Sequence, residues 1–130
     1  MNDMLTAFRY LWASPWTLLG ALVGLLGLVT GGSVRVANGV VQFYGGIVST
    51  LLERLPAQPF AMTLGHVILG RTEAAIDVSL AHELIHVRQY ERWGPIMVPS
   101  YLLCSLVLFL LRKDPYRDNP FEREAYGEES

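Results

Sequence analysis

Three side chains in the segment His82-Glu83-Leu84-Ile85-His86 have the types and spacing needed for zinc-dependent hydrolysis. In an α-helix, residues four apart lie on the same face, so His82 and His86 can both present a ring nitrogen to one Zn²⁺. Glu83 lies about 100° further round the helix, where its carboxylate can take a proton from a zinc-activated water that then attacks a carbonyl. The segment therefore predicts Zn²⁺ as cofactor, His82 and His86 as metal ligands, and Glu83 as the catalytic base.

A catalytic zinc needs a third protein ligand and leaves its fourth position to water. The chain has one cysteine, Cys104, so the ligand must be a histidine or a carboxylate. Near the end of the chain, the segment FEREAYG offers Glu122 and Glu124, which lie about 200° apart on a helical wheel. Only one of these acids can face the metal, and their spacing does not choose between them. The remaining histidine, His66, is expected in a strand with a structural hydrogen bond, and binding of substrate or stabilisation of an oxyanion is its alternative role.

The HELIH and FEREAY segments together resemble those of the gluzincins, zincin metallopeptidases in which a glutamate on a downstream helix is the third zinc ligand. In the gluzincin pattern, that glutamate is followed three residues later by Ala or Ser and then commonly by Asp. Glu122 followed by Ala125 matches, so the resemblance implies that Glu122 is the ligand, whereas Tyr126 stands in place of the Asp. The resemblance also implies a zincin-like fold, a peptide or protein substrate, and a strand before the HExxH helix that pairs with extended substrate.

The composition favours a single membrane-associated domain. Of 130 residues, 52% are hydrophobic and only 17% are charged, which is oilier than an average soluble domain. The formal net charge of −2, without a basic cluster, gives no reason to expect nucleic acid as a partner. Membrane lipid is the expected partner instead. The chain is also similar to small membrane-associated bacterial proteins with HExxH and FEREAY segments, which implies the bacterial cytoplasmic membrane as its location.

An uncharged run at residues 10–34 lies between Arg9 and Arg35. As a helix, it is long enough to cross a hydrocarbon core of roughly 30 Å. We therefore predict that residues 1–33 form a membrane anchor or spanning helix and that residues 34–130 form the metallopeptidase domain. The spacing of Gly20, Gly24 and Gly27 suits close helix packing in a bilayer. A core helix buried within the protein is the alternative interpretation of this run.

The region before the HExxH helix has signals for strands and a short helix. Asn38-Gly39 between two β-branched runs predicts a β-hairpin, because a type I′ turn needs a positive φ at both central residues. An amphipathic helix is expected at Ile47–Leu55 and a single strand at Met62–Leu69. Asp77 or Ser79 is the expected cap at the start of the HExxH helix.

A second uncharged run, residues 93–111, constrains the topology of the site. If both apolar runs crossed the bilayer, His82 and Glu122 would lie on opposite sides and could not share a metal. We predict instead that the second run folds back on the HExxH helix as an antiparallel αα-hairpin that turns at Gly94-Pro95. A terminal helix, capped by Asn119, then returns Glu122 to the histidines. The predicted fold is an α+β zincin-like minidomain with an N-terminal apolar membrane helix.

These features predict a membrane-associated zinc metallopeptidase that hydrolyses peptide bonds through a metal-activated water. The alternative, from a different functional class, is a catalytically silent zinc-binding or metal-free membrane protein that acts by binding a partner. Gln89 lies on the histidine side of the helix, where a packing role is expected and a contact with the site is the alternative. Four tyrosines are candidates for polarising the substrate carbonyl, and the sequence does not choose among them: Tyr90, Tyr101, Tyr116 and Tyr126.

Overall fold

The computed structural model describes residues 3–56 and 58–127, and in this part of the chain helices cover both faces of a four-stranded mixed sheet. The predicted α+β class is confirmed. The elements in chain order are α1 (Asp3–Val29), β1 (Ser33–Ala37), β2 (Val40–Tyr44), α2 (Gly46–Arg54), β3 (Ala61–Leu64), β4 (Val67–Gly70), α3 (Glu73–Trp93), a 3₁₀ turn (Gly94–Ile96), α4 (Met97–Leu110) and α5 (Pro120–Ala125).

The sheet has the strand order β1-β2-β4-β3. β1 and β2 form the antiparallel hairpin predicted at Asn38-Gly39, and the two turn residues have φ values of 57° and 76°, as a type I′ turn requires. β2 pairs in parallel with β4. Such a pairing needs a crossover connection, which α2 and β3 supply. The helix predicted at Ile47–Leu55 is confirmed as α2.

The single strand predicted at Met62–Leu69 is wrong. This segment forms two strands, β3 and β4, which pair antiparallel around a tight turn at Gly65-His66. Gly65 has a φ of 61° and packs against Thr17 of α1, so a side chain at this position would be both strained and blocked. The segment is mainly apolar because helices cover both faces of these strands. It therefore lacks the cluster of polar residues that usually marks a turn. β3 lies at an edge of the sheet.

Two of the three apolar clusters in the described residues cover the sheet, one on each face, and the third contains Ala13, Tyr90, Met97 and Phe121. The cluster between the sheet and the α1–α2 layer contains Phe43, Val48, Leu52, Leu64, Val67 and Leu69. The cluster between the sheet and α3 contains Val40, Ala61, Ile68, Ile76 and Val87. Burying these side chains fixes α3 against the sheet, and the HExxH segment is fixed with it.

α1 packs one face against the protein and leaves the other exposed. A Cβ atom added to Gly24 would lie 2.2 Å from the Phe43 ring, and Gly20 and Gly27 are similarly crowded by the sheet and α2. The glycines therefore allow close approach to the protein's own sheet, whereas their spacing had predicted packing between helices in a bilayer. The separate anchor predicted at residues 1–33 begins outside the described residues, and its division from residues 34–130 stays a prediction. The opposite face exposes Leu18, Leu22, Leu25 and Val29.

α3 begins at Glu73, several residues before the predicted start. Thr72 is its N-cap, and the Thr72 hydroxyl accepts a hydrogen bond from the backbone amide of Ala75. The predicted cap at Asp77 or Ser79 is wrong. Asp77 instead pairs with an arginine of β1, and Ser79 donates a hydrogen bond to the Ala75 carbonyl within the helix.

The chain reverses at Gly94-Pro95, between α3 and α4, so the predicted helix end is confirmed. Gly94 has a φ of 56° and packs against the Trp12 indole. The Trp12 and Trp16 indole nitrogens donate hydrogen bonds to backbone carbonyls of this turn, at Arg92 and Pro95. α1 thereby holds the turn, and α4 leads back toward the histidine end of α3, where Tyr101 contacts Glu122.

Two helical stretches, Met4–Val29 and Glu73–Leu110, are long and apolar enough to cross a membrane by length and composition. In the second stretch, the exposed apolar side chains are concentrated in α4, where Leu103, Leu106 and Leu110 are more than half exposed. α3 carries charged residues and packs between the sheet and α5. Membrane association is therefore supported by the exposed apolar faces of α1 and α4.

Candidate metal centre

Three donor atoms from α3 and α5 meet at one point. His82 Nε2 lies 2.9 Å from Glu122 Oε1, His86 Nε2 lies 3.0 Å from the same oxygen, and the two imidazole nitrogens are 3.2 Å apart. Ligands bound at about 2.0–2.1 Å around a tetrahedral zinc are separated by roughly 3.3 Å. The triangle of donor atoms thus fits a small divalent cation with slight expansion. The structure brings the three predicted ligands together, and their binding of zinc stays a prediction.

Asn119 anchors α5 and thereby places Glu122. The Asn119 side chain is fully buried, and its oxygen accepts a hydrogen bond from the Phe121 amide, which confirms the predicted cap. Its nitrogen donates to the Tyr101 carbonyl and the Ser105 hydroxyl of α4. Because these bonds tie the start of α5 to α4, Glu122 in the first turn of α5 is directed at the two imidazoles.

Gln89 orients His86 and determines which of its ring nitrogens carries the proton. Gln89 is fully buried, and its nitrogen lies 3.0 Å from the Phe121 carbonyl oxygen and 2.7 Å from Glu124 Oε1, both of which only accept. The Gln89 oxygen therefore faces His86 Nδ1, at 2.8 Å. Since an amide oxygen also only accepts, His86 Nδ1 carries a proton, and in the neutral imidazole the lone pair for a metal is then on Nε2. The sequence favoured a packing role for Gln89 over a contact with the site, and the structure shows the contact, one turn after His86.

Glu124, the other acid that the sequence left open, points away from the imidazoles. Its carboxylate accepts hydrogen bonds from Gln89 and from Arg92, the latter at 3.0 Å. The side chain is also 49% exposed, unlike that of Glu122. The structure therefore places Glu122 at the metal cluster and Glu124 in the hydrogen-bond chain behind His86.

Tyr126, which stands where the gluzincin pattern has Asp, packs against His82 rather than orienting it. The two ring centroids are 4.2 Å apart, and the Tyr126 hydroxyl is paired with that of Tyr116. His82 Nδ1 is buried without a hydrogen-bond partner among the described residues. The two histidines therefore differ at Nδ1: a side chain orients His86 there, whereas His82 is held by ring packing and by its Nε2 contact with Glu122.

Glu83 is buried between the imidazoles and β3. It is 4% exposed, and its carboxylate accepts a hydrogen bond of 2.8 Å from the Thr63 hydroxyl. Burial raises the pKa of Glu83, an effect that the positive character of His86 and His82 partly opposes. A carboxylate with a raised pKa is a better proton acceptor at neutral pH, which suits the predicted role of general base.

The electrostatics of the cluster favour a cation at its centre. Burial alone would raise the pKa of Glu122, but the hydrogen bonds from His82 and His86 lower it to about 2. Burial acts to lower the pKa of His86, yet the hydrogen bond and charge of Glu122 raise it overall. The Glu122 carboxylate thus favours positive charge at this point, which a divalent cation bound by the same three atoms would supply.

The four tyrosines that the sequence could not separate have different surroundings. The Tyr90 hydroxyl is buried and donates to the Thr63 carbonyl, and Tyr116 and Tyr126 are paired with each other. The Tyr101 hydroxyl donates to Glu122 Oε2 at 2.5 Å, on the carboxylate oxygen that the histidines do not contact. Tyr101 is therefore the tyrosine that positions the ligand carboxylate and leaves Glu122 Oε1 free for a metal.

A cavity of about 410 Å³ opens beside the cluster. One side is formed by the three candidate ligands and Glu83, and β3 and α4 form its walls. Leu55, Pro56 and Pro59, from the connection before β3, also line the cavity, as do Tyr90, Pro115 and Tyr116, and the lining is mainly apolar. The cavity gives a substrate direct access to both the candidate metal position and the candidate base.

His66 lies outside this site, in the turn between β3 and β4. Its Nε2 is 2.8 Å from a Glu91 carboxylate oxygen, and its ring stacks on Tyr10 with centroids 3.8 Å apart. The residue is 3% exposed. These contacts join α1, the sheet and α3, in keeping with the structural role expected for His66.

No protein-family model, curated protein or solved structure matches this chain. The resemblance to the gluzincins rests on the HELIH and FEREAY segments, and function is inferred from the geometry of the chain's own residues.

Proposed function

We propose that this protein is a membrane-associated zinc metallopeptidase with a zincin-like minidomain, in which His82, His86 and Glu122 hold Zn²⁺ and Glu83 is the catalytic base. One observation carries the proposal: three donor atoms lie within 3.2 Å of one another with a second buried carboxylate beside them. Burying ionisable groups is costly unless they are paired or bind a metal. A metal ion shared by these groups would explain why ionisable side chains lie together at one buried point.

A bound zinc ion supplies a Lewis acid that lowers the pKa of water and polarises a carbonyl. Two neutral imidazoles and one carboxylate leave such a site with a net positive charge, which favours the negative charge that develops on the substrate oxygen. Glu83 takes the proton from the attacking water and delivers it to the nitrogen of the leaving amine. The Thr63 hydroxyl holds the Glu83 carboxylate in place during this transfer.

The position of β3 supports a peptide substrate. In the antiparallel pairing of β3 with β4, Leu64 and Val67 close a two-residue turn. The backbone groups of Thr63 and Ala61 therefore point away from β4, because alternate residues of an edge strand face outward. Of these groups, only the Thr63 carbonyl already has a partner among the described residues, the Tyr90 hydroxyl. The cavity lies along this edge. An extended peptide can add to β3 as a further strand and bring its scissile carbonyl to the candidate metal position.

The test of the proposed function is the substitution Glu83→Gln, which keeps the shape of the side chain but removes its basicity. Zinc content should remain one per chain, and chelator-sensitive peptide cleavage should fall by about 10²–10⁴-fold, the usual contribution of a general base. Glu53→Gln is the matched control, since Glu53 is an exposed residue of α2, and it should leave both quantities unchanged. Retained cleavage in Glu83→Gln, or loss of its zinc, would contradict the assigned role.

The catalytically silent alternative remains a distinct outcome of this test. It is favoured by the hydrogen bonds that Tyr101 and the two histidines make to Glu122, which satisfy the cluster without an ion. Bound zinc with no chelator-sensitive cleavage in the wild-type protein would indicate a silent metal-binding membrane protein. Absence of bound zinc after purification in zinc-containing buffer would indicate the metal-free form.

A further inference from the structure

We propose that the substrate of this site is an extended apolar peptide segment that enters the cavity from the lipid phase, past α4. This inference rests on the proposed function and adds the substrate class and its route of entry. It follows from the two faces of α4, from the lining of the cavity, and from the backbone edge that β3 presents to the cavity.

α4 separates the cavity from the outside of the protein. Residues at helical spacing on one face line the cavity, namely Val98, Tyr101, Leu102 and Ser105. Residues on another face are large, apolar and 46–69% exposed, namely Leu103, Leu106, Val107 and Leu110. A contiguous exposed apolar face of this kind marks a contact with a membrane or with another protein. One helix thus combines the wall of the cavity with a surface suited to lipid.

The rim of the cavity on the α4 side is apolar. Leu102 lines the cavity and is also 59% exposed, so the α4 wall reaches the surface of the protein. Leu55, on the opposite side of the cavity, is 37% exposed. The acids and histidines among the lining residues are confined to the metal cluster and Glu83. A charged peptide therefore meets no complementary charge on the way in, whereas an apolar peptide exchanges lipid contacts for protein contacts.

The occupant is a peptide rather than a lipid acyl chain because β3 presents backbone groups to it. The Ala61 amide and carbonyl and the Thr63 amide point away from β4 at the edge that borders the cavity, whereas the Thr63 carbonyl already accepts a hydrogen bond from Tyr90. An acyl chain would leave the first three groups unsatisfied in an apolar space, at a cost in affinity. An extended peptide backbone supplies the matching donors and acceptors and places apolar side chains against α4.

Photocrosslinking of a bound peptide tests this proposal without relying on turnover. The probe is an apolar, strand-forming peptide with a central diazirine leucine, in phosphatidylcholine vesicles that contain the full-length protein. Crosslinks to Val98 or Leu102 of α4 are the expected result. Crosslinks confined to the outward residues Leu103 and Leu106 would overturn the proposal. It would also be overturned if a vesicle lipid with a diazirine acyl chain labelled the cavity residues and the peptide did not displace it.

A matched pair of substitutions on α4 separates the cavity wall from the lipid-facing surface. Leu102→Asp and Leu103→Asp add the same charge to neighbouring positions of one helix. Crosslinking of the peptide to Val98 should fall by at least about tenfold in Leu102→Asp and by less than about threefold in Leu103→Asp, because only Leu102 lines the cavity. Equal losses in the two variants would contradict entry past this wall.

The failure of this inference is distinguishable from failure of the proposed function. If a soluble peptide with charged flanks were cleaved faster than the vesicle-bound apolar peptide, in a chelator-sensitive way, the proposed substrate class would be wrong. The proposed peptidase activity would be retained. Crosslinking to the cavity face without any cleavage would support the binding site and overturn the peptidase.

Discussion

The metal centre and the outer faces of α1 and α4 distribute polar and apolar groups in opposite ways. Around the cluster, polar side chains are buried, among them Thr63, Glu83, His86, Gln89, Asn119 and Glu122. On α1 and α4, large apolar side chains are exposed. A domain that folds in water by burying apolar surface usually shows the reverse arrangement. The contrast supports the proposals of a metal site in the interior and of membrane contact on part of the exterior.

Each half of this contrast has its own energetic requirement. A buried polar group without a partner costs about 1–3 kcal/mol, and the network around His86 avoids this cost because Gln89, Glu124 and Arg92 form a continuous chain of hydrogen bonds. Exposed leucines are unfavourable in water and favourable in hydrocarbon. The network around His86 is therefore satisfied within the protein, whereas an apolar surrounding would favour the exposed faces of α1 and α4.

The largest effect expected within the polar interior comes from replacing the candidate third ligand. Glu122→Ala should weaken zinc binding by more than about 100-fold. Substitution of a residue that only hydrogen-bonds to a metal ligand typically weakens metal binding by about 10–100-fold. Glu124→Ala is the matched control on the same short helix. It should weaken zinc binding by no more than about 10–100-fold, because Glu124 contacts Gln89 rather than the metal position. Competition with a zinc-binding dye measures both affinities, and equal losses would show that Glu122 has no special role.

A smaller effect is expected from the residue that orients His86. Gln89→Leu removes the acceptor of the His86 Nδ1 hydrogen bond, so the imidazole loses its fixed orientation and zinc affinity should fall by about 10–100-fold. Arg88→Ala, at an exposed position of the same helix, should change zinc affinity by less than about twofold, as distant surface substitutions usually do. If Gln89→Leu bound zinc as tightly as the wild-type protein, the hydrogen bond would have no part in the site.

The smallest effects concern the two faces of α1. Gly24→Leu forces a side chain into the Phe43 ring and should lower the free energy of unfolding by about 1–3 kcal/mol. Leu22→Ala, two residues away on the exposed face, should change it by less than about 0.5 kcal/mol. Denaturation in mild detergent measures both changes. A large loss in Leu22→Ala would mean that protein, not lipid, covers this face.

Local signals in the sequence predicted the elements whose geometry depends on neighbouring residues. Asn38-Gly39 has the residue types that a type I′ turn needs, and the hairpin forms there. The i, i+4 spacing of His82 and His86 and the cap at Asn119 likewise act within one or two helical turns. These features follow from short-range stereochemistry, which a single sequence expresses directly.

Tertiary packing determined the features that the sequence left open or predicted wrongly. The Gly65-His66 turn is hidden in an apolar run because helices cover both strands beside it. Glu122 and Glu124 face different directions on one helix, and only the attachment of α5 through Asn119 determines which one meets the histidines. The contact between Gln89 and Glu124 joins residues far apart in the chain, so no local pattern indicates it.

X-ray absorption at the zinc K edge of the purified protein tests the central claim most directly, because it reports which atoms surround the metal. We predict one zinc per chain with two imidazole nitrogens and two oxygens, one from Glu122 and one from water, at about 2.0–2.1 Å. The same measurement on Glu122→Ala should lose the carboxylate oxygen. A sulfur ligand at about 2.3 Å, the absence of imidazole scattering, or no bound zinc would contradict the account.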